Sequence, residues 1–211
     1  MIGCEEVTTA VILAGGGNRR FRALKSFISI EGMPLIERNL GLLKELFHEV
    51  FISTNLPEPY FYLGAPLIGD VLPSRGPMSG IYSALINAKG SDVFVVACDM
   101  PFLNKKVVTF ILERRMRHCR ECGPCDATVP VFNNGPQPLS GVYSRSLLPH
   151  LEKEIVHEKT SLIPFLHGVN TYFINESDMR TIDPGGRSFI NINTVEDYEA
   201  AMCADSNIMK T

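Results

Sequence analysis

Asp92-Val93-Phe94-Val95-Val96-Ala97-Cys98-Asp99 is the stretch on which the fold turns. It is apolar without alternation from Val93 to Cys98, so it predicts a strand covered on both faces, as in a parallel sheet sandwiched between helices. Pro101 follows and stops strand pairing from continuing, which leaves Asp99 at the strand mouth. Working outward, Thr8 to Leu13 reads as another buried strand. Pro34 to Phe47 then places Leu35, Ile36, Leu40, Leu43, Leu46 and Phe47 at helical spacing, with Pro34 suited to the first turn. Val50 to Ser53 and Pro66 to Ile68 read as strands, and Ser79 to Ala88 as a helix with Ile81, Ala84, Leu85 and Ala88 on one face. Asn104 to Arg117 is a predicted helix with Asn104 as N-cap. Further on, Ala127 to Val131, Gly141 to Tyr143 and Thr171 to Ile174 read as strands. Helices are expected near Ser146–Leu151 and Ser161–Leu166, and Val195 to Met202 closes the chain. This alternation predicts a three-layer, Rossmann-like α/β architecture with a mostly parallel central sheet and right-handed crossovers. Ligands of such sheets collect beyond the carboxyl ends of the strands. Gly15, Ser53, Asp70 and Asp99 all fall at or just past predicted strand ends, on one rim.

The chain of 211 residues is long enough for one domain with a full core, so residues 1–211 are read as one unit. A 45% hydrophobic and 20% charged composition with net charge -3 argues against a general nucleic-acid binder. No apolar run reaches the roughly 18 residues of a membrane span. Met1 to Ala10 carries Glu5 and Glu6 and lacks the pattern of a secretory signal, so a cytoplasmic location is expected.

The first strand empties into Gly15-Gly16-Gly17-Asn18-Arg19-Arg20, with Lys25 beyond. Glycines let backbone N–H groups approach phosphate oxygens closely. The segment has neither the Gly-Lys-Ser/Thr ending of a P-loop nor GxGxxG spacing. Lys25, and more weakly Arg20, would offset the charge of a triphosphate and of departing pyrophosphate. Asp99 suits Mg²⁺, which takes hard oxygen ligands and only one or two protein carboxylates; the alternative is a turn aspartate before Asn104. Asp70 opens the glycine- and proline-rich stretch to Gly80, which either approaches a base or ribose or is an ordinary connection to a capped helix. In Asn191-Ile192-Asn193-Thr194 alternation puts both amides on one face, to read substrate or lend an oxygen to the metal. Equally, Thr194 N-caps the last helix with Asp197 at the capping-box position. The five histidines form no pattern for acyl transfer or a zinc hydrolase, so phosphoryl-type chemistry by positioning and charge neutralisation is expected.

Cys119, Cys122 and Cys125 could clip a zinc or an iron–sulfur cluster, but no second CxxC pair completes a site. The cluster is read as a surface loop after a helix, outside the mechanism.

Taken in order, Leu13-Ala14-Gly15-Gly16 with Arg20 and Lys25, Gly32-Met33-Pro34-Leu35-Ile36, Gly76-Pro77-Met78-Ser79-Gly80-Ile81, Cys98-Asp99-Met100-Pro101-Phe102-Leu103 and Asn191-Ile192-Asn193-Thr194 resemble the molybdenum-cofactor guanylyltransferases. The blocks span roughly residues 8 to 200 in the family's order. The resemblance implies a nucleotidyltransferase fold and a Mg²⁺-dependent reaction in which the phosphate of molybdopterin attacks the α-phosphate of GTP and pyrophosphate departs. It implies that the N-terminal half binds the nucleotide and the C-terminal half the acceptor. It implies that Leu13, Ala14 and Gly15 line the nucleotide with backbone groups, that Lys25 touches phosphates, Asp70 the nucleoside and Asp99 magnesium. Lys25 and Asp99 would then be the catalytic residues. Pro138-Leu139 lies where the family receives the pterin, with Asn191 and Asn193 beside it. The family's Arg-Met-Gly-x-Asp-Lys is here Arg20-Phe21-Arg22-Ala23-Leu24-Lys25, and Ser53 stands where guanylyltransferases often carry asparagine, with Asn55 nearby to serve the nucleotide. The alternatives are a cytidylyltransferase or other small-molecule nucleotidyltransferase of the same fold, or a non-catalytic nucleotide-binding relative. The expected partners are GTP and molybdopterin, with room for transient contact with cofactor-delivery proteins, and neither nucleic acid nor membrane.

Overall fold

In the computed structural model, residues 7, 9–14, 26–73, 76–192 and 194–200 are described. In chain order the strands are β1 (Thr9–Leu13), β2 (Ser29–Ile30), β3 (Met33–Pro34), β4 (Glu49–Ser53), β5 (Leu67–Ile68), β6 (Asp92–Ala97), β7 (Ala127–Phe132), β8 (Gly135–Pro136), β9 (Ser140–Ser144) and β10 (Thr171–Ile174). The helices are α1 (Leu35–Lys44), α2 (Pro77–Asn87), α3 (Lys105–Cys122), α4 (Leu148–Val156), α5 (Leu162–His167) and α6 (Glu176–Ile182). The main sheet runs β10-β7-β9-β6-β1-β4-β5. Its pairs are parallel except at β9, which lies antiparallel between β6 and β7. The mostly parallel sheet expected from the sequence is therefore present.

Period-2 alternation divides the core. Ala10 and Ile12 of β1 and Phe94 and Val96 of β6 face the layer that holds α1, α3 and α6. Val11, Leu13, Val93 and Val95 face α2, α4 and α5. Both faces of β6 are closed to water, as its unbroken apolar run predicted. Two hairpins were not anticipated. β2–β3 turns through Glu31 and Gly32, and β7–β8 through Asn133 and Asn134, all four with positive φ. Paired positive φ values make the tight turn whose twist matches a hairpin, and asparagine tolerates them best among non-glycine residues. Pro34 occupies the N-cap position of α1 rather than its first turn.

The cysteine cluster is a correction. α3 continues to Cys122, so Cys119 and Cys122 lie on a helix, and Cys125 is buried rather than in a surface loop. Arg115, also buried, accounts for this. Its guanidinium donates to Asp92 Oδ2 at 2.8 Å, to Thr128 Oγ1 at 3.1 Å, to Cys125 Sγ at 3.4 Å and to the Cys125 carbonyl at 3.3 Å. Burial pushes the Cys125 thiol up from its ordinary range, so it remains protonated and inert. No group of three or more metal-ligating side chains exists among the described residues.

Removing one partner of a buried ion pair leaves the other charge uncompensated, at a cost of about 3–5 kcal/mol. Asp92→Ala is expected to lose stability on that scale in denaturant unfolding. Asp92→Leu combined with Arg115→Met should recover most of it, because no buried charge then remains.

Candidate active site

The rim is assembled by backbone register. Leu13 pairs with Ser53 of β4 on one side and with Ala97 of β6 on the other. Past the strand ends the same ladder continues: the Ala14 N–H donates to the Ser53 carbonyl at 2.9 Å, and the Cys98 N–H to the Leu13 carbonyl at 3.2 Å. Leu13, Ala14, Ser53 and Asp99 are thereby brought to one edge, as expected. Gly15, Arg20, Lys25 and Asn193 lie outside the described residues. The residue after Lys25 is nonetheless anchored: the buried Tyr60 hydroxyl donates to Ser26 Oγ at 3.1 Å. Burial pushes Tyr60 up to about 12, so it stays a donor through the physiological range.

One recess opens on the α2 side, lined by Leu13, Ser53, Asn55, Asp70, Gly76 and Gly80. Asn55 and Asp70 grip each other: Asn55 Nδ2 donates to Asp70 Oδ2 at 2.7 Å, and the Asp70 N–H donates to Asn55 Oδ1 at 2.9 Å. This reciprocal pair fixes both side chains at the recess wall, so the two residues singled out from sequence act as one unit. α2 enters the recess by its N-terminus. Gly76 precedes it with φ 65° and ψ -149°, a region open essentially to glycine alone. At Gly80 a Cβ would stand 2.9 Å from Leu13 Cδ2 and 2.9 Å from Ser53 Oγ. Only a residue without a side chain lets the first turn of α2 lie this close to the strand ends. Ser79 and Ser83 hold the approach loop, donating to or accepting from Pro73 and Val71. Backbone N–H groups at a helix start favour anions, so the recess suits a phosphorylated ligand.

A second cavity, of about 160 Å³, opens on the opposite face and is lined by Met100, Gln137, Pro138, Leu139, Phe189 and Asn191, with Ser140 at its base. The predicted pair Pro138 and Asn191 thus meet, from positions far apart in the chain. Gln137 Nε2 donates to the Phe132 and Gly135 carbonyls, both at 3.2 Å, and bolts the β7–β8 hairpin to the wall. Tyr143, fully buried, donates to the Pro138 carbonyl at 2.6 Å. Met100, Ser140 and Phe189 were not read from sequence. Met100 adjoins Asp99 and was legible as a rim residue; Phe189 carried no signal.

Asp99 follows the end of β6 and precedes Met100, a wall of the second recess. Its carbonyl accepts from the Ile192 N–H at 2.9 Å, which ties the Asn191 segment to the end of β6. Thr194 and Asp197 form the reciprocal capping box anticipated for the last helix, at 3.0 and 3.1 Å. Capping and pocket lining therefore coexist, because Thr194 does the first and Asn191 the second. Asp99 is half-exposed at the rim, and a single carboxylate there would be enough to hold Mg²⁺, which keeps most of its shell for phosphates and water. A larger cleft of about 610 Å³ runs along His150, Lys153, Glu154 and Lys159 between α4 and α5, and contains none of these rim residues.

The domain family described as MobA-like NTP transferase matches residues 10–167. The molybdenum cofactor guanylyltransferase of Syntrophotalea carbinolica is 33% identical over 191 residues, covering 90% of this chain and 89% of that protein. The probable molybdenum cofactor guanylyltransferase of Pelotomaculum thermopropionicum is 33% identical over 199 residues, 94% of each chain. Among solved structures, molybdopterin-guanine dinucleotide biosynthesis protein A from Archaeoglobus fulgidus superposes with a TM-score of 0.75 at 27% identity, covering 93% of this chain and 99% of that one.

Gly76→Ala places a Cβ where φ and ψ forbid one, at a cost of about 1–3 kcal/mol. The expected result is a lower melting temperature together with a raised nucleotide KM, because the start of α2 must shift to relieve the strain.

Proposed function

The chain belongs to the MobA-like NTP transferase family, and we propose that it transfers GMP from GTP to the phosphate of molybdopterin, making the guanine dinucleotide cofactor. An oxygen of the acceptor phosphate forms a bond to the α-phosphorus of GTP, and the bond to the pyrophosphate oxygen breaks. The observation that carries this reading is the pair of recesses at the carboxyl ends of the central strands, one walled by Leu13 and Ser53 and the other by Met100. One is a recess of backbone and small side chains at a helix start, suited to a nucleotide; the other is an apolar-walled slot, suited to a ring.

The reaction needs alignment and charge neutralisation more than covalent help from the protein. Leu13, Ala14 and Gly15 line the nucleotide, and Asn55 with Asp70 holds its nucleoside side. Lys25 offsets the charge on the phosphates. Asp99 holds Mg²⁺, which when bound neutralises phosphate charge and orients the reacting oxygens. Pro138, Asn191 and Asn193 seat the acceptor. The N-terminal half thus serves the nucleotide and the C-terminal half the pterin. No described helix is long and apolar enough to cross a membrane, and we place the reaction in the cytoplasm.

GTP with Mg²⁺ is expected to raise the melting temperature more than CTP, UTP or ATP. Saturation at a hundredfold excess over Kd corresponds to about 2.7 kcal/mol of stabilisation. An equal shift with CTP would overturn the guanine assignment. Asp99→Ala should lower pyrophosphate release by about 10²–10³-fold while leaving the fold intact, and chelation of the metal should do the same to the unaltered protein. Pyrophosphate release indifferent to both treatments would remove Asp99 and Mg²⁺ from the mechanism.

A further inference from the structure

Ser140 begins β9 and is fully buried, and its Oγ has no hydrogen-bond partner among the described residues. A buried hydroxyl left unpaired lowers stability, and such groups in native proteins call for an explanation. The backbone around it is fully used. The Ser140 N–H donates to the Gln137 carbonyl at 3.1 Å, and the Leu139 carbonyl accepts from the Ala97 N–H at 3.2 Å. Only the side-chain hydroxyl is idle.

Register settles which way it points. Ser140 pairs with Val96 across the β6–β9 ladder, and residues paired across an antiparallel ladder share a face. Val96 belongs to the same core layer as Met100 and Phe189, two walls of the 160 Å³ slot. The hydroxyl is therefore directed to the slot's side of the sheet. Of the other polar side chains of that slot, Gln137 keeps only its Oε1 as an acceptor and can donate no further. Its amide hydrogens go to two carbonyls, and Asn191 is exposed at the mouth. Met100, Pro138, Leu139 and Phe189 supply apolar walls.

We infer that Ser140 is a specificity-determining residue for the acceptor: its hydroxyl pairs with the polar edge of a flat heteroaromatic ring held between the apolar walls. The inference rests on the proposed acceptor and deepens it, by naming the group that reads the ring. A site whose buried polar group awaits a partner rejects ligands lacking one, since they leave it unpaired. A saturated sugar phosphate fits such a slot poorly, because its hydroxyls on both faces would meet apolar walls.

The test is Ser140→Ala, read by unfolding, by steady-state kinetics and by direct binding of molybdopterin followed by anaerobic calorimetry without nucleotide. The expected outcome is an unchanged or higher melting temperature, an acceptor Kd and KM raised about tenfold, and an unchanged KM for GTP. A purely structural hydroxyl would instead give a lower melting temperature with an unchanged acceptor Kd, which overturns the inference. Molybdopterin that binds the unaltered protein and Ser140→Ala equally well overturns it as well, and failure to bind the unaltered protein at all overturns both this inference and the acceptor assignment. Serine-dependent binding without guanylyl transfer leaves the inference standing and overturns the proposed reaction alone.

Discussion

Everything at the rim depends on the register of β1 between β4 and β6. Both neighbours run parallel to it, so Leu13 falls between Ser53 and Ala97, and three strand ends finish level. A slip of one residue would turn Ala10 and Ile12 toward α2 and Val11 and Leu13 toward α1, exchanging two differently shaped core faces. Packing on both sides thus fixes where the backbone stops being a ladder and becomes a ligand surface. The hydrogen bonds from Ala14 to Ser53 and from Cys98 to Leu13 extend that order one residue past the strands. The close approach of α2 at Gly80 then caps it from one side.

The lone antiparallel strand of the main sheet has a separate purpose. β9 starts beside the end of β6, so the residues just before it, Gln137 to Leu139, stand beyond the rim. β7 ends at the same edge, and a short hairpin joins the two there instead of a helical crossover returning from the far side. A hairpin is stiff where a long crossover loop is not, and here Gln137 and Tyr143 stiffen it further through the carbonyls of Phe132, Gly135 and Pro138. Burial drives the Tyr143 hydroxyl far above its ordinary pKa, so this donor never ionises. The second recess is consequently built on a braced wall.

The parallel half of the fold was legible because its signals are local. An unbroken apolar run marks a strand buried on both faces, and Asn104 does cap α3 through Lys106 at 2.8 Å. Asn55 and Asp70 could be singled out from residue type and position, but their mutual grip could not, since it joins two loops through the pairing of β4 with β5. Ser140 and Phe189 were invisible for a similar reason. A serine before an apolar stretch looks like a turn residue, and only the cross-strand partner Val96 reveals that it is buried. The cysteine cluster was misread as a surface loop because the determining residue, Arg115, lies one turn earlier on the same helix as Cys119 and pairs with Asp92 at the start of β6. Asn133-Asn134-Gly135 was a readable turn signal for the β7–β8 hairpin.

The end of β6 is where these constraints become chemical. Its main chain is bonded in two directions: the Cys98 N–H donates to Leu13, a wall of the first recess, and the Asp99 carbonyl accepts from Ile192, next to Asn191 of the second. The two recesses lie on opposite faces of the sheet, so no side chain has to reach across both. They are joined instead through the main chain at Cys98 and Asp99, whose peptide groups are held by hydrogen bonds to Leu13 and Ile192. A reaction that relies on holding an oxygen in line with a phosphorus gains from such a joint, because errors of an ångström in placement are costly. The price is sensitivity: a change that displaces Ile192 or Leu13 disturbs the main chain at Cys98 and Asp99 as well.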